Sequence, residues 1–186
     1  MSVTVITASL PSRAIMLAEA IGSVTEQTHQ PATHLIAVDH TRVGSSAMRN
    51  LLFRAVRTEW TAVLDDDDTF LPQHLDWLLA ASHDADIVYS LPLVEGRSGW
   101  QPVGPFDAIR LRRESYIPAT ALIRTRLLDS IGGWRDSSQC LHGWEDWDLW
   151  LRALDAGARF TFVPEVTWRY RFHGGNKTTL GEGGAR

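Results

Sequence analysis

The chain has 186 residues, of which 44% are hydrophobic and 22% charged, and its formal net charge is −4. This composition is that of one globular domain with a substantial core, and it excludes a chain that is disordered as a whole. The negative net charge argues against a global field for nucleic acid or an anionic membrane, while a local basic patch stays open.

The number of cysteines and the length of the apolar runs exclude further classes of protein. Cys140 is the single cysteine, which excludes an intramolecular disulfide and a multi-cysteine zinc site. No apolar run approaches the ~20 residues of a membrane span, and the first residues lack the basic region of a signal peptide. We therefore expect no membrane span and a cytoplasmic location.

Strand and helix patterns alternate in the first half of the chain. They predict strands at 3–8, 34–39, 60–64 and 86–90, and helices at about 13–26, at 46–57 and after Pro72, with Ser12 as an N-cap. Such alternation is typical of an α/β domain with a Rossmann-like, mostly parallel sheet and helices on both faces. The Gly-x-Gly-x-x-Gly fingerprint and a Gly-Lys-Ser/Thr loop are both missing, which argues against NAD binding and excludes a P-loop NTPase.

The second half begins with a segment that lacks this alternation. Residues 91–118 are rich in proline, glycine and arginine, so we expect a long loop or irregular hairpins over the sheet, and loops of this kind often carry function. Four of its arginines either contact an anionic acceptor, which includes a nucleic acid, or are solvated loop charges. The second case is the commoner one. They are Arg97, Arg110, Arg112 and Arg113. Further elements are predicted at 120–123, 127–131, 145–156, 160–163 and 166–172, followed by a flexible tail at 174–186.

Four consecutive aspartates follow the third predicted strand: Asp65, Asp66, Asp67 and Asp68. An acidic run is most often a solvated loop. This run, however, lies at a strand end, where the ligand clefts of open α/β sheets form. Carboxylates held together there are stabilised by a hard cation such as Mg²⁺ or Mn²⁺. From the run alone the two interpretations carry similar weight.

A second acidic segment starts the helix predicted at 145–156. Glu145 and Asp146 in its first turn complement the helix dipole, which needs no function. Alternatively, Asp146 is desolvated beside tryptophans and acts as a general base. Those tryptophans are more often core, although one of them lining a sugar-sized pocket is reasonable. His173, a lone histidine after the last strand, is a candidate nitrogen ligand for a cation held by the aspartates.

Over about residues 1–173 the chain resembles the family-2-like glycosyltransferases with the GT-A fold. The resemblance rests on VTVITAS in the first strand, on Asp39 ending IAVD, on Ala47-Met-Arg-Asn50 followed by Leu64-Asp-Asp-Asp-Asp68, and on Gly143-Trp-Glu-Asp-Trp-Asp-Leu-Trp-Leu-Arg152. The last two are similar to the family's "A-x-R-N … L-D-x-D-D" stretch, with its Asp-x-Asp metal motif, and to "G-x-E-D-x-D-L-x-x-R", which bears the catalytic base. Tyr170-Arg-Phe-His173 resembles the family's late histidine, a metal ligand in some members.

The resemblance implies one GT-A domain, with a nucleotide-binding half at 1–90 and an acceptor and catalytic half at 91–173. It implies Mn²⁺ or Mg²⁺ and a nucleotide-diphosphate sugar, with a UDP-sugar the first choice. It assigns Asp146 and Glu145 to catalysis, and Asp67, Asp68 and His173 to the metal. The resemblance assigns contacts with the donor to seven residues: Thr7, Ala8, Ser9, Asp39, Arg49, Asp65 and Asp66.

One base without a second nucleophilic carboxylate predicts inversion of configuration. The register of Asp-x-Asp within the run, the sugar, the oligomeric state and the acceptor (glycan, lipid, protein or modified nucleic acid) stay open. Three other functions remain open. The first is a non-catalytic module that binds a nucleotide sugar or a metal, which the short chain favours. The second is a nucleotidyltransferase, although the segment at 9–13 is a poor match for its glycine-rich loop, and the third is a structural protein whose acidic runs are solvated.

Overall fold

Seven strands form one sheet in the computed structural model, which describes residues 1–96, 103–140, 143–173 and 176. They are β1 (Val3–Ser9), β2 (Thr33–Val38), β3 (Trp60–Val63), β4 (Thr69–Phe70), β5 (Ile87–Glu95), β6 (Ala121–Arg124) and β7 (Phe160–Arg171). Their order across the sheet is β2-β1-β3-β6-β5-β7-β4. Five of the seven run in one direction and β4 and β6 oppose them, which confirms the mostly parallel sheet.

Helices cover both faces of this sheet, as predicted. They are α1 (Ala14–Thr25), α2 (Ser45–Phe53), α3 (His74–Ala80), α4 (Ala108–Leu111), α5 (Thr125–Ser130) and α6 (Glu145–Asp155). Apolar side chains of α1 and α3 pack on one face, and those of α2, α4, α5 and α6 pack on the other. The result is a three-layer α/β domain in which the sheet is buried on both sides.

The side chains of β1 alternate between two cores, one on each face of the sheet. Val3 and Val5 join the core under α1 and α3, whereas Ile6 joins the core under the other helices. Most of the tryptophans near the second acidic segment are also core residues: Trp134, Trp147 and Trp150 are buried. Trp144 is partly buried against the same core, so the expectation of tryptophans as mainly core residues is confirmed.

Residues 91–118 are more regular than the sequence suggested, so the expectation of a long loop or irregular hairpins is wrong at both ends of the segment. Strand β5 runs on to Glu95, and α4 lies near the end of the segment. Strand β7 is a single strand where two segments were predicted. The reason is that β5 pairs with β7 along its whole length, with register shifts around Leu91 and Pro92 that accommodate the proline. Residues 97–102 of the predicted loop, including Arg97, and the predicted tail apart from Asn176 lie outside the described residues.

The start of α1 and the end of α2 are among the helix boundaries that differ from the prediction. Ser12 does not cap α1: a 3-10 turn over Pro11–Arg13 precedes the helix, without a side-chain cap. Helix α2 ends at Phe53, several residues before the predicted end at 57. Neither difference moves a candidate site residue, because both concern the ends of helices that flank the sheet. In the parts of the chain described above, no helix is long and apolar enough to cross a membrane.

Candidate active site

The aspartate run lies where β1, β2 and β3 end side by side. These three strands are parallel neighbours, so their carboxyl ends share one edge of the sheet. Asp39 follows β2, and its backbone N–H donates to the Ser9 carbonyl at 2.8 Å. The edge therefore brings Ser9, Asp39 and Asp65 together, as expected for a ligand cleft in an open α/β sheet.

Asp66 faces the end of β1. Its Oδ2 accepts a hydrogen bond from Ser9 Oγ at 2.6 Å, and its Oδ1 lies 2.8 Å from Nη1 of Arg13. The same Arg13 nitrogen lies 3.0 Å from Oδ2 of Asp67. Two of the predicted donor contacts, Ser9 and Asp66, are thus bonded to each other. Arg13, for which the sequence predicts only a place at a turn and helix start, provides a cation to two of the aspartates.

The other three aspartates form a group that suits a metal ion. One oxygen from each of Asp65, Asp67 and Asp68 lies within 4.8 Å of the others. His173 Nε2 lies 3.1 Å from Asp67 Oδ2, so the predicted histidine reaches the cluster. Hard oxygen donors with one imidazole nitrogen are a set that Mg²⁺ or Mn²⁺ accepts. The residues present therefore fit the divalent cation that the resemblance implies.

The raised pKa values of two aspartates in this cluster also favour a bound cation. Burial, followed by the charges of Asp67 and Asp65, raises the pKa of Asp68 well above its ordinary value. Burial also raises the pKa of Asp67, and the charge of Asp65 adds to the effect. Asp68 Oδ1 accepts one backbone hydrogen bond, from the N–H of Arg171 at 3.0 Å. The carboxylates thus gain from a positive charge between them.

Asn176 is a contributor that the sequence did not reveal. It is buried, and its Oδ1 accepts a hydrogen bond from the N–H of His173 at 2.5 Å. Its Nδ2 lies 3.5 Å from Asp67 Oδ2. The asparagine thereby fixes the backbone of His173 beside the cluster. An asparagine three residues after a candidate metal-binding histidine was the available signal.

Asp39 and Thr7, two other residues predicted to contact the donor, form hydrogen bonds within the protein. Oδ2 of Asp39 accepts the N–H of Gly44 at 2.8 Å, and Oδ1 accepts those of Thr41 and Val43, each at 3.1 Å. The Gly44 N–H leads the causes that lower the pKa of Asp39. Thr7 is fully buried with its Oγ1 2.9 Å from His34 Nε2, whereas the neighbouring Ala8 is partly exposed. Asp39 therefore shapes the loop after β2.

Arg49 bridges the aspartate run and the second acidic segment. It is 5% exposed, with Nη2 2.5 Å from Asp65 Oδ1 and Nη1 3.5 Å from Glu145 Oε1. Burial acts to lower the pKa of Arg49, but the charges of Asp65 and Glu145 outweigh it and raise the pKa. Glu145 is buried as well and accepts a hydrogen bond from Ser45 Oγ at 2.7 Å. Both Arg49 and Glu145 are therefore used in contacts within the protein.

Asp146 is partly exposed at the start of α6. Burial by the surrounding protein, and then the charge of Glu145, raises its pKa to about 6. The N–H of Trp147, which donates to its Oδ1 at 2.8 Å, and the charge of Arg49 act in the opposite direction. A carboxyl group with a pKa near neutrality has the strength required of a general base at physiological pH.

Asp148 and Arg152, near the end of the second acidic segment, stabilise the turn that follows α5. Arg152 donates from Nε to Asp148 at 2.7 Å and from its terminal nitrogens to the carbonyls of Ile131 and Gly133, at 2.6 and 2.7 Å. Asp148 and Arg152 therefore hold α6 against the turn that follows α5. Their acidic and basic side chains support the position of the helix on which Asp146 lies.

Comparison with known families identifies the class of protein. The family described as "Glycosyltransferase like family 2" matches residues 3–179. The chain belongs to this family. Curated relatives from two Mycobacterium tuberculosis strains, each named "Pre-mycofactocin glycosyltransferase", are 31% identical to it and cover 65% of it. The chain spans 28% of the length of those relatives.

Solved structures confirm the GT-A fold. Staphylococcus aureus TarS 1–349 in complex with UDP-GlcNAc matches 95% of this chain with a TM-score of 0.76 and 16% identity, and the match covers 60% of TarS 1–349. The complex of the same protein with UDP matches 94% of this chain and 61% of its own, with a TM-score of 0.73 and 15% identity. At this level of identity the likeness concerns the fold.

Proposed function

We propose that this domain transfers a sugar from a nucleotide-diphosphate donor to an acceptor hydroxyl, with inversion at the anomeric carbon. One observation carries the proposal: Arg49 joins the aspartate cluster, through Asp65, to the residue next to Asp146. A cluster that suits a cation and a carboxyl group with a pKa of about 6 thus lie on the two sides of one buried arginine in a family 2 glycosyltransferase domain.

The donor side would be built on the carboxyl edge of the sheet. Asp65, Asp67 and Asp68, with His173, would hold Mn²⁺ or Mg²⁺. Such a cation supplies Lewis-acid stabilisation of the negative charge on the departing diphosphate. We take a UDP-sugar as the first donor to test, since the structurally similar TarS was crystallised with UDP and with UDP-GlcNAc.

The acceptor side would depend on Asp146. Its carboxylate takes the proton of the acceptor hydroxyl while that oxygen attacks the anomeric carbon and the bond to the diphosphate oxygen breaks. The nucleoside diphosphate leaves with the bonding electrons. Glu145 and Asp65, its acidic neighbours, both pair with Arg49, so neither is offered as a nucleophile. A single base acting from the opposite face of the sugar is the arrangement of an inverting enzyme.

A module that binds a nucleotide sugar without transferring it is the second candidate. The observation that favours it is that Glu145, one of the two acids assigned to catalysis by the resemblance, is buried and paired with Arg49 and Ser45. A binding module would retain the cluster of Asp65, Asp67 and Asp68 but would have no use for Asp146. The two functions therefore differ in turnover.

The test begins with calorimetry of donor binding. The protein is titrated with UDP, GDP, dTDP and CDP in the presence of Mn²⁺, and again with a chelator. Binding of one nucleotide that the chelator abolishes supports the donor site and names the base. The matching nucleotide sugars are then assayed for release of the nucleoside diphosphate, and NMR of the glycoside gives its anomeric configuration. Binding without turnover would favour the module, retention would refute inversion, and no binding would refute both functions.

A further inference from the structure

Helices α2 and α6 are tied together by side chains that flank Asp146. Ser45 Oγ donates to Glu145 at 2.7 Å, and Arg49 Nη1 lies 3.5 Å from the same oxygen, Oε1. Both donors belong to α2, and Glu145 is the first residue of α6. The carboxylate directly before Asp146 is thus bonded to the helix that also reaches the aspartate run.

The environment of Glu145 differs from that of its neighbour. Glu145 is 7% exposed and its Oε1 faces two donors, whereas Asp146 is partly exposed to solvent and accepts the N–H of Trp147. A buried carboxylate paired with a cation and a hydroxyl has little freedom to approach a substrate. It is well suited to fix the start of a helix, because buried charge-assisted hydrogen bonds have strict geometry.

A second tie is made by Asn50, the residue that follows Arg49 in α2. The side-chain amide of Asn50 donates from Nδ2 to the carbonyl of Trp134 at 2.7 Å, and its Oδ1 accepts the N–H of Trp134 at 3.0 Å. Asn50 therefore pairs with the backbone of Trp134 in both directions. Trp134 directly follows the turn that Arg152 of α6 holds through the carbonyls of Ile131 and Gly133.

Gly133 shows how closely this tie is packed. Its φ is +66°, and a Cβ atom at this position would lie 2.4 Å from Asn50 Oδ1. A side chain at 133 would therefore push Asn50 away from Trp134. The neighbouring Gly132 has a φ of +76° but nothing within 4 Å of its Cβ position. The contact, and not the turn conformation alone, demands glycine at 133.

We propose that Glu145 and Asn50 are positioning residues that fix Asp146 relative to the aspartate cluster, and that Glu145 carries no proton in the reaction. This inference rests on the proposed function, for which it explains how a base and a donor site on separate helices keep one geometry. Glu145 acts through Ser45 and Arg49 at the start of α6. Asn50 acts through the turn that Arg152 holds. A base displaced by as little as 1 Å is expected to lose on the order of 10²-fold in rate.

The first test replaces Glu145 by Gln, which keeps its shape and an acceptor oxygen. We expect kcat to fall roughly 10- to 100-fold, in line with the cost of a displaced catalytic group, while donor affinity stays within about threefold. We also expect the Asp146 carboxyl to titrate at lower pH, because a neighbouring negative charge is gone while Arg49 and Asp65 remain. Carbon-13 NMR of labelled aspartate measures that titration without turnover, with Asp146→Asn used to assign the signal. Glu165→Gln, on the exposed part of β7, is the control and should change neither quantity.

The second test replaces Asn50 by Ala and by Asp. Alanine removes both hydrogen bonds to Trp134, whereas aspartate keeps the acceptor of the Trp134 N–H. We expect kcat to decrease in the order wild type, Asn50→Asp, Asn50→Ala, with unchanged donor affinity. A loss of kcat and donor affinity in parallel, with the same loss of thermal stability, would overturn the assignment and make the tie merely structural.

Other outcomes separate this inference from the proposed function. If Glu145→Gln abolishes turnover while the Asp146 titration stays in place, Glu145 takes part in proton transfer and the inference is wrong. If the wild type binds no nucleotide, the proposed function fails by itself. The NMR titration then still decides the placement of Glu145: an unmoved Asp146 signal overturns it, and the expected shift supports it.

Discussion

Nε2 of His173 lies 3.1 Å from Oδ2 of Asp67, although 106 positions separate the two residues in the chain. Asp67 follows β3, whereas His173 follows β7, on the far side of β6 and β5 in the sheet. The contact forms because β7 continues to Arg171, whose N–H donates to Asp68 at 3.0 Å. The long final strand thus delivers the histidine to the aspartate cluster.

We expect His173→Ala to weaken Mn²⁺ binding in the presence of UDP by at least about tenfold, because loss of a ligand or of its nearest support costs 10- to 100-fold in affinity. Titration of Mn²⁺ followed by electron paramagnetic resonance of the free ion measures this. His83→Ala, in an exposed turn after α3, is the matched control and should bind as the wild type does. Equal affinity in His173→Ala would show that the histidine only hydrogen-bonds to Asp67.

Asp146→Asn should reduce kcat by about 10²- to 10⁴-fold, the usual contribution of a general base, with little change in the donor dissociation constant. The amide keeps the size of the side chain but cannot accept the hydroxyl proton. Single-turnover assays and donor calorimetry on the same preparation separate the two effects. Asp155→Asn, at the exposed end of the same helix, controls for loss of an acid on α6 and should leave kcat within twofold.

The pH dependence of kcat follows from the pKa of Asp146, which is raised to about 6. The base must be deprotonated to act, so kcat should rise about tenfold per pH unit below pH 6 and level off above it. Rates measured from pH 4.5 to 8 with saturating donor and metal give the midpoint. A profile that is flat through pH 6 would contradict the role of Asp146.

Gly133→Ala should destabilise the domain more than Gly132→Ala does. Both glycines have a positive φ, which costs alanine about 1 kcal/mol, but only the Cβ at 133 meets Asn50 Oδ1, at 2.4 Å. We expect an additional loss of about 1–3 kcal/mol from the displaced hydrogen bonds of Asn50. Urea unfolding of the two variants measures the difference. Equal losses would mean that Asn50 moves aside without cost.

His74 should make the domain acid-sensitive. It is fully buried, with Nδ1 2.7 Å from Thr167 Oγ1, and burial lowers its pKa to about 3. Below pH 6.5 the unfolded chain binds a proton that the folded chain refuses, so stability falls as the pH drops from 6.5 toward 3. Between pH 7.5 and 5.5 this single group accounts for about 1.4 kcal/mol.

The free energy of unfolding in urea at these two pH values tests the role of His74. The decrease between them should be smaller by that amount in His74→Gln than in the wild type. His83→Gln, which changes an exposed histidine, should show the wild-type decrease. A full wild-type decrease in His74→Gln would assign the acid sensitivity to another group.

The sequence predicted the elements whose periodicity spans several residues, and it missed those without a period. Strand β4 has two residues and, among the strands that the structure describes, pairs with β7 alone, so no alternation marks it. The extension of β5 was hidden by Pro92, because proline in a pattern normally ends a strand. Its register shift beside Leu91 is a property of the pairing with β7, which a single segment does not encode.

In the candidate site, too, some contacts could be predicted from the sequence and others could not. The placement of Asp67 near His173 followed from strand ends and a family resemblance, and the contact between them agrees with it. The partners of Arg49 and Glu145 did not follow. An acid in the first turn of a helix has the same sequence signature whether it faces solvent or a buried arginine. Only the packing of α2 against the start of α6 distinguishes the two cases.

The ties between α2 and α6 also set a rule for engineering by recombination. The proposed division into a nucleotide-binding half at 1–90 and an acceptor half at 91–173 would invite the exchange of one half for that of a relative, to combine one donor preference with another acceptor preference. Ser45, Arg49 and Asn50 lie in the first half, whereas their partners Glu145 and Trp134 lie in the second. A chimaera cut between them inherits a mismatched junction unless the α2 residues travel with the second half.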